Sequence, residues 1–294
     1  MTSNTSFSLD NENFHIAIST HGAELQSIFD KKKQLELLWQ GDAAYWARRA
    51  PVLFPIVGRL VNDTLKYRQN TYPMKQHGFA RDLDFDVIYA EDNQLEFRLL
   101  STEAIKKQYP FDFEFIIAYL LMENVLTINY VVRNMGNEIL PFSVGGHPAF
   151  NWPLIPGKDK QAHSIESTCD AMAHMYQLNG GLLKPDKIPS PVKNQRFQLK
   201  DELFEHDAMI FDGIVNREVT YNADDEYQIK IKFADFPQFG LWTKPGAPFI
   251  CLEPWYGFAS PEDFDDDIRK KPGIMLLPEN SEVQLAYSME FISK

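Results

Sequence analysis

The chain has 294 residues, 44% of them hydrophobic and 24% charged. That composition suits a chain that buries a large core and excludes a disordered or collagen-like protein, while two cysteines, Cys169 and Cys251, are too few for a disulfide scaffold. With 29 basic against 41 acidic residues the formal charge is −12, which repels nucleic acid and anionic membrane surfaces. The polar start lacks the basic and apolar regions of a secretory signal, and the longest apolar run, residues 115–122, falls well short of the ~20 residues that cross a bilayer. The expected compartment is the cytoplasm.

In chain order, Phe14, Ile16 and Ile18 open the first strand by their period-two spacing. Five arginines, Arg48, Arg49, Arg59, Arg68 and Arg81, crowd the next stretch. Thr102 is placed to cap a short helix that Pro110 ends. Residues 113–132 read as two strands around the turn Glu123-Asn124. Residues 151–200, rich in proline and glycine, read as long loops over one end of the sheets. Alternation returns at Ile229, Ile231 and Phe233, set against Lys230 and Lys232. It is clearest at Val283, Leu285, Tyr287, Met289 and Phe291. Many strands, few helices and no linker predict an all-β fold, a large antiparallel sandwich or barrel, as one domain over residues 1–294.

Three segments break the alternation and gather polar groups beside glycine and proline, as sites on sheet edges and loops do. They are Gln76-His77-Gly78-Phe79-Ala80-Arg81-Asp82, Gly145-Gly146-His147-Pro148-Ala149-Phe150-Asn151 and Cys251-Leu252-Glu253-Pro254-Trp255-Tyr256-Gly257. A fourth, residues 50–60, is apolar until it ends in Gly58-Arg59-Leu60.

In their order along the chain, beginning with residues 50–60, and at these distances the four segments resemble the aldose 1-epimerase family of the galactose mutarotase-like superfamily, in its LacX-type branch. The resemblance spans nearly the whole chain. It implies an antiparallel β-supersandwich with a sugar site in an open cleft, a general base at Glu253 and a general acid at His147. It further implies substrate contacts at His77, Arg81, Asp207 and Arg59. The residues around Asp207 match loosely, and Val61-Asn62-Asp63 stands where galactose mutarotases carry an Asn-Arg pair beyond their Gly-Arg, so which arginine meets the substrate stays open.

The chemistry calls for these residue types. A cyclic aldose changes anomer by losing the O1 proton while its ring oxygen gains one, which needs one base and one acid, expected on opposite sides of the sugar. No cofactor and no metal is required. No histidine pair has the i, i+4 spacing of a helical zinc site, and the acidic run 263–267 lacks the calcium-loop pattern and reads as a solvated turn.

Against these roles stand plainer ones. His147 could be a loop histidine with a satisfied hydrogen bond, Glu253 half of a buried ion pair with an arginine, and Trp255, Tyr256, Phe79 and Phe150 ordinary core aromatics. The function expected is interconversion of the anomers of a free hexose. A hexose-6-phosphate mutarotase, drawing on the arginine cluster, and a non-catalytic sugar-binding protein of the same fold are the alternatives. The partner expected is a small sugar, and a homodimer is left open.

Overall fold

The structure, a computed structural model, describes residues 5–167, 170–223 and 225–294; Cys169 lies outside them. Its centre is a nine-stranded sheet. In spatial order the strands are Arg196–Gln198, His163–Ser167, Glu218–Ala223, Tyr227–Lys232, Glu282–Ser293, Val125–Asn134, Phe113–Met122, Gln94–Leu100 and Asp86–Glu91. A six-stranded sheet runs Met209–Asp212, Gln238–Trp242, Phe249–Tyr256, Val144–Gly146 and Val52–Leu53, with Ala149–Asn151 also paired to Phe249–Tyr256. The ladders within both sheets are antiparallel.

Alternation decides which face each strand buries. In Glu282–Ser293 the residues Leu285, Tyr287, Met289 and Phe291 point inward, and in Val125–Asn134 so do Leu126, Ile128, Tyr130 and Val132. They share one hydrophobic core with Phe239, Leu241, Ile250 and Leu252 of the smaller sheet, so the two sheets form a sandwich. The hairpin turns at Glu123, whose φ of 53° is the left-handed conformation a two-residue turn requires.

Among the described residues one α-helix forms, Glu103–Lys106, and the Thr102 hydroxyl caps it by accepting from the Ile105 N–H at 3.2 Å. Two stretches of the 151–200 segment depart from the loops expected. His163–Ser167 and Arg196–Gln198 join the large sheet as its outer strands, because Ile165 and Phe197 give each an inward apolar residue. The remainder forms short hairpins such as Leu178–Asn179 with Leu182–Leu183. Nor is the acidic run merely solvated: Asp267 accepts from the Arg68 and Arg269 backbone N–H groups and pairs with the Arg269 guanidinium. No helix among the described residues is long and apolar enough to cross a membrane.

Candidate active site

The strand Phe249–Tyr256 builds the site because it is buried on both faces. Ile250 and Leu252 enter the sandwich core, while Phe249 and Cys251 face the other way, against Trp39 and Ala149. Glu253 and Trp255 continue that second face, which opens on a cavity of about 460 Å³, within the range of small-molecule sites. Glycines on the neighbouring strands make room. Gly240 pairs with Glu253 and Gly145 with Trp255, and a Cβ on Gly240 would stand 2.5 Å from the Trp255 ring.

His147 sits where the strand Val144–Gly146 ends and Ala149–Asn151 begins, with Pro148 between them. Its Nε2 lies 3.2 Å from Glu253 Oε2. Both residues are almost wholly buried, at 7% and 1% exposed. Neither His147 Nδ1 nor Glu253 Oε2 has a hydrogen-bond partner among the described residues. The histidine is therefore not satisfied at Nδ1, and the ionisable group beside Glu253 is His147 rather than an arginine.

Burial drives both groups toward their neutral forms. It pushes the Glu253 carboxyl well above the ordinary carboxylate range, against a lowering contribution from the Trp255 indole, and the charge of Asp207 adds to the rise. Burial, then the Arg81 charge, pushes His147 down to about 3. In the closed pair the single proton thus rests on the carboxyl.

His77 reaches the same cavity from a strained turn, with φ +64° at His77 and +72° at Gly78. A Cβ on Gly78 would fall 2.2 Å from the Phe54 carbonyl oxygen, so glycine is required there. The Gly58 N–H donates to His77 Nδ1 at 3.1 Å, which leaves the ring proton on Nε2. Burial, then the charges of His147, Arg81 and Arg48, holds His77 well below the usual histidine range. It is therefore a neutral N–H donor.

Arg81 lines the cavity, donates to the Gln76 carbonyl at 2.6 Å and keeps a buried Nε without a partner among the described residues. Burial lowers it to about 10, so it stays charged at neutral pH. Asp207, with a φ of 73°, also lines the cavity and accepts from the Ala208 N–H at 2.8 Å. His77 and Asp207 are among the described non-glycine residues with left-handed backbone, and both line the cavity.

Arg59 is not brought in. Its guanidinium grips Asp63 at 2.7 Å through both Nε and Nη2 and donates to the Gly180 carbonyl at 3.1 Å, so it supports the loop whose Leu178 and Gly181 edge the cavity. The second cation in the cavity is Arg48, which also pairs with Asp82 at 2.6 Å. His147 and Glu253, expected on opposite sides of a sugar, stand side by side.

Sequence reasoning passed over Trp46, Trp242 and Gln76, all of which line the cavity. Trp46 lies over the His147 ring at 4.9 Å between centroids, and Trp242 meets that ring edge-on at 5.7 Å. Trp242 could have been found from its strand: it shares a face with Gly240, and a glycine inside a strand marks a close approach. Trp46 lies in an irregular loop that carries no such signal. Phe79 and Phe150 are core residues, whereas Trp255 lines the cavity.

The architecture is that of the galactose mutarotase-like proteins. A galactose mutarotase related enzyme from Lactobacillus acidophilus superposes with a TM-score of 0.93 at 35% identity, covering 98% of each chain. A galactose mutarotase-like protein from Lactobacillus casei gives 0.91 at 29% identity, over 98% of this chain and 100% of that one. The aldose 1-epimerase family profile matches residues 5–268, and the chain belongs to that family. The chromosomal protein LacX of Lactococcus lactis subsp. lactis is 32% identical over 278 residues, 90% of this chain and 92% of that protein.

Proposed function

We propose that the protein is a mutarotase that interconverts the α and β anomers of a free hexose, with Glu253 as base and His147 as acid. The observation that carries this reading is the buried His147–Glu253 contact at 3.2 Å in a cavity of sugar size. O1 and the ring oxygen are bonded to the same carbon, so an acid and a base that act on them belong side by side.

The proton count closes within the pair. With sugar bound the pair's proton moves from Glu253 to His147; Glu253, now a carboxylate, takes the O1 proton while His147, as imidazolium, protonates the ring oxygen, the C1–O5 bond breaks and C1–O1 becomes a carbonyl. Glu253 then carries a proton and His147 is neutral, which is the state that burial favours. After rotation about C1–C2 the hydroxyl O5 attacks the other carbonyl face. It returns its proton to His147 while Glu253 returns one to O1. One proton is held by the pair at each stage, and neither a hydride carrier nor a covalent intermediate enters the balance.

The other residues take supporting roles. His77 Nε2–H and Arg81 stabilise negative charge that develops on oxygen, Asp207 accepts from sugar hydroxyls, and Trp46 and Trp242 offer apolar faces to the C–H surface of the ring. A second reading, a hexose 6-phosphate as substrate, draws on Arg48 and Arg81 in the cavity. Against it, Arg48 is engaged by Asp82, one Arg81 nitrogen by a carbonyl, and Asp207 and Glu253 share the space. The test is to follow the optical rotation of freshly dissolved α-anomers across a panel of free sugars. Enzyme-dependent acceleration is expected for at least one hexose. Sugar binding without acceleration would make the protein a non-catalytic sugar binder.

A further inference from the structure

Cys251 stands two residues before Glu253 on the same face of its strand, fully buried, behind the wall that His147 and Glu253 present to the cavity. A nitrogen of His147, the Cys251 sulfur and a carboxylate oxygen of Glu253 all lie within 4.8 Å of one another. Two acceptor-capable atoms of this group, Glu253 Oε2 and His147 Nδ1, are buried without hydrogen-bond partners among the described residues. A tetrahedral zinc ion with bonds of ~2.0–2.3 Å holds its ligand atoms about 3.3–3.8 Å apart, so small side-chain shifts would bring all three onto one ion.

We propose that His147, Cys251 and Glu253 form a binding site for a thiophilic divalent cation of the zinc type, and that the bound ion closes the cavity to sugar. Nitrogen, sulfur and oxygen donors on a rigid strand pair suit zinc and disfavour the hard cations magnesium and calcium. His147 and Glu253 line the cavity, so an ion they hold, with a water as its fourth ligand, would stand in the place of the sugar. Thiolate and carboxylate together cancel the ion's two positive charges, which matters because Arg81 and Arg48 stand nearby. On binding, the Cys251 thiol proton and the Glu253 carboxyl proton leave to solvent, and the freed sulfur and oxygen electron pairs bond the metal; nothing is oxidised or reduced. Cys251 has no part in the acid–base steps, so the site adds an inhibitory input to the cavity rather than a cofactor. The spacing rules for helical zinc sites do not reveal it, because one ligand comes from a separate segment.

The experiment titrates zinc chloride alone into the wild-type chain and into Cys251→Ser by calorimetry, in two buffers of different ionisation enthalpy, with circular dichroism to show that both are folded. One ion is expected to bind the wild type. In Cys251→Ser the affinity should fall roughly tenfold or more, and about one fewer proton should be released. Magnesium chloride should give no binding heat. Should the serine variant fail to fold, Cys251→Ala replaces it. No zinc binding to the wild type, or equal affinity and proton release in the cysteine variant, would overturn the proposal. The heat of binding is read without turnover, so this result stands apart from whether the protein is a mutarotase. If it is one, zinc raises KM for the sugar in the wild type, and the cysteine variant keeps its zinc-free turnover.

Discussion

Glu253→Gln keeps the shape of the side chain and removes the basic oxygen. The expected result is a folded protein whose kcat falls ~10²- to 10⁴-fold, the range of a general base; wild-type turnover in the folded variant would remove Glu253 from the mechanism. His147→Asn should lose activity on the same scale. The pH profile follows from the shared proton. The working pair holds one proton, so kcat/KM declines in acid as His147 gains a second, near its lowered value of about 3, and declines in alkali as Glu253 loses the first above its raised value. Between these limits the profile should be level through pH ~6.5, where an unperturbed histidine titrates. A step centred there that disappears in His147→Asn would contradict the protonation states argued for the pair. EDTA should leave turnover undiminished, because no step in the cycle is assigned to a metal; inactivation reversed by added metal would show otherwise.

Among the elements, the strands Gln238–Trp242 and Phe249–Tyr256 do most to shape the cavity. Gly240→Ala would place a methyl group 2.5 Å from the Trp255 ring and displace that wall beside Glu253. An activity loss of about 10- to 10²-fold is expected, since a shift of ~1 Å near reacting groups costs that much; unchanged kinetics would show that the indole has room elsewhere. Gly78→Ala combines a left-handed φ with a contact of 2.2 Å to a backbone oxygen. It should lower unfolding free energy by roughly 1–3 kcal/mol, read by chemical denaturation. Much of this level was legible in the sequence. The strand Glu282–Ser293, the hairpin at Glu123 and the Thr102 cap follow from side-chain period and turn chemistry, which are local properties. The outer strands His163–Ser167 and Arg196–Gln198 were hidden because a three- to five-residue strand among prolines and glycines carries too few alternations. Glu253, His147, His77 and Arg81 lie in segments that interrupt the alternation, whereas Asp207 is reached only through the family resemblance; all five line one cavity. Arg48 rather than Arg59 lines the cavity, because Asp63, four residues along the chain, captures the Arg59 guanidinium.

For the whole molecule, the question is how an acidic protein with cations in its cavity treats substrate charge. The formal charge of −12 repels anions at long range, while Arg48 and Arg81 attract them at contact. Because both arginines already have oxygen partners, kcat/KM should be higher for glucose or galactose than for the 6-phosphates, at low and high salt alike. A preference for phosphate above ~tenfold that collapses with salt would assign the arginines to phosphate recognition. This cavity is expected to exchange anomers through Glu253. Magnetisation transfer between the α and β anomeric proton signals of a sugar at equilibrium measures that exchange directly. The predicted result is an exchange rate proportional to wild-type protein and reduced to near the buffer value in Glu253→Gln. Exchange at the buffer rate with the wild type, for every sugar that saturates the cavity, would contradict it.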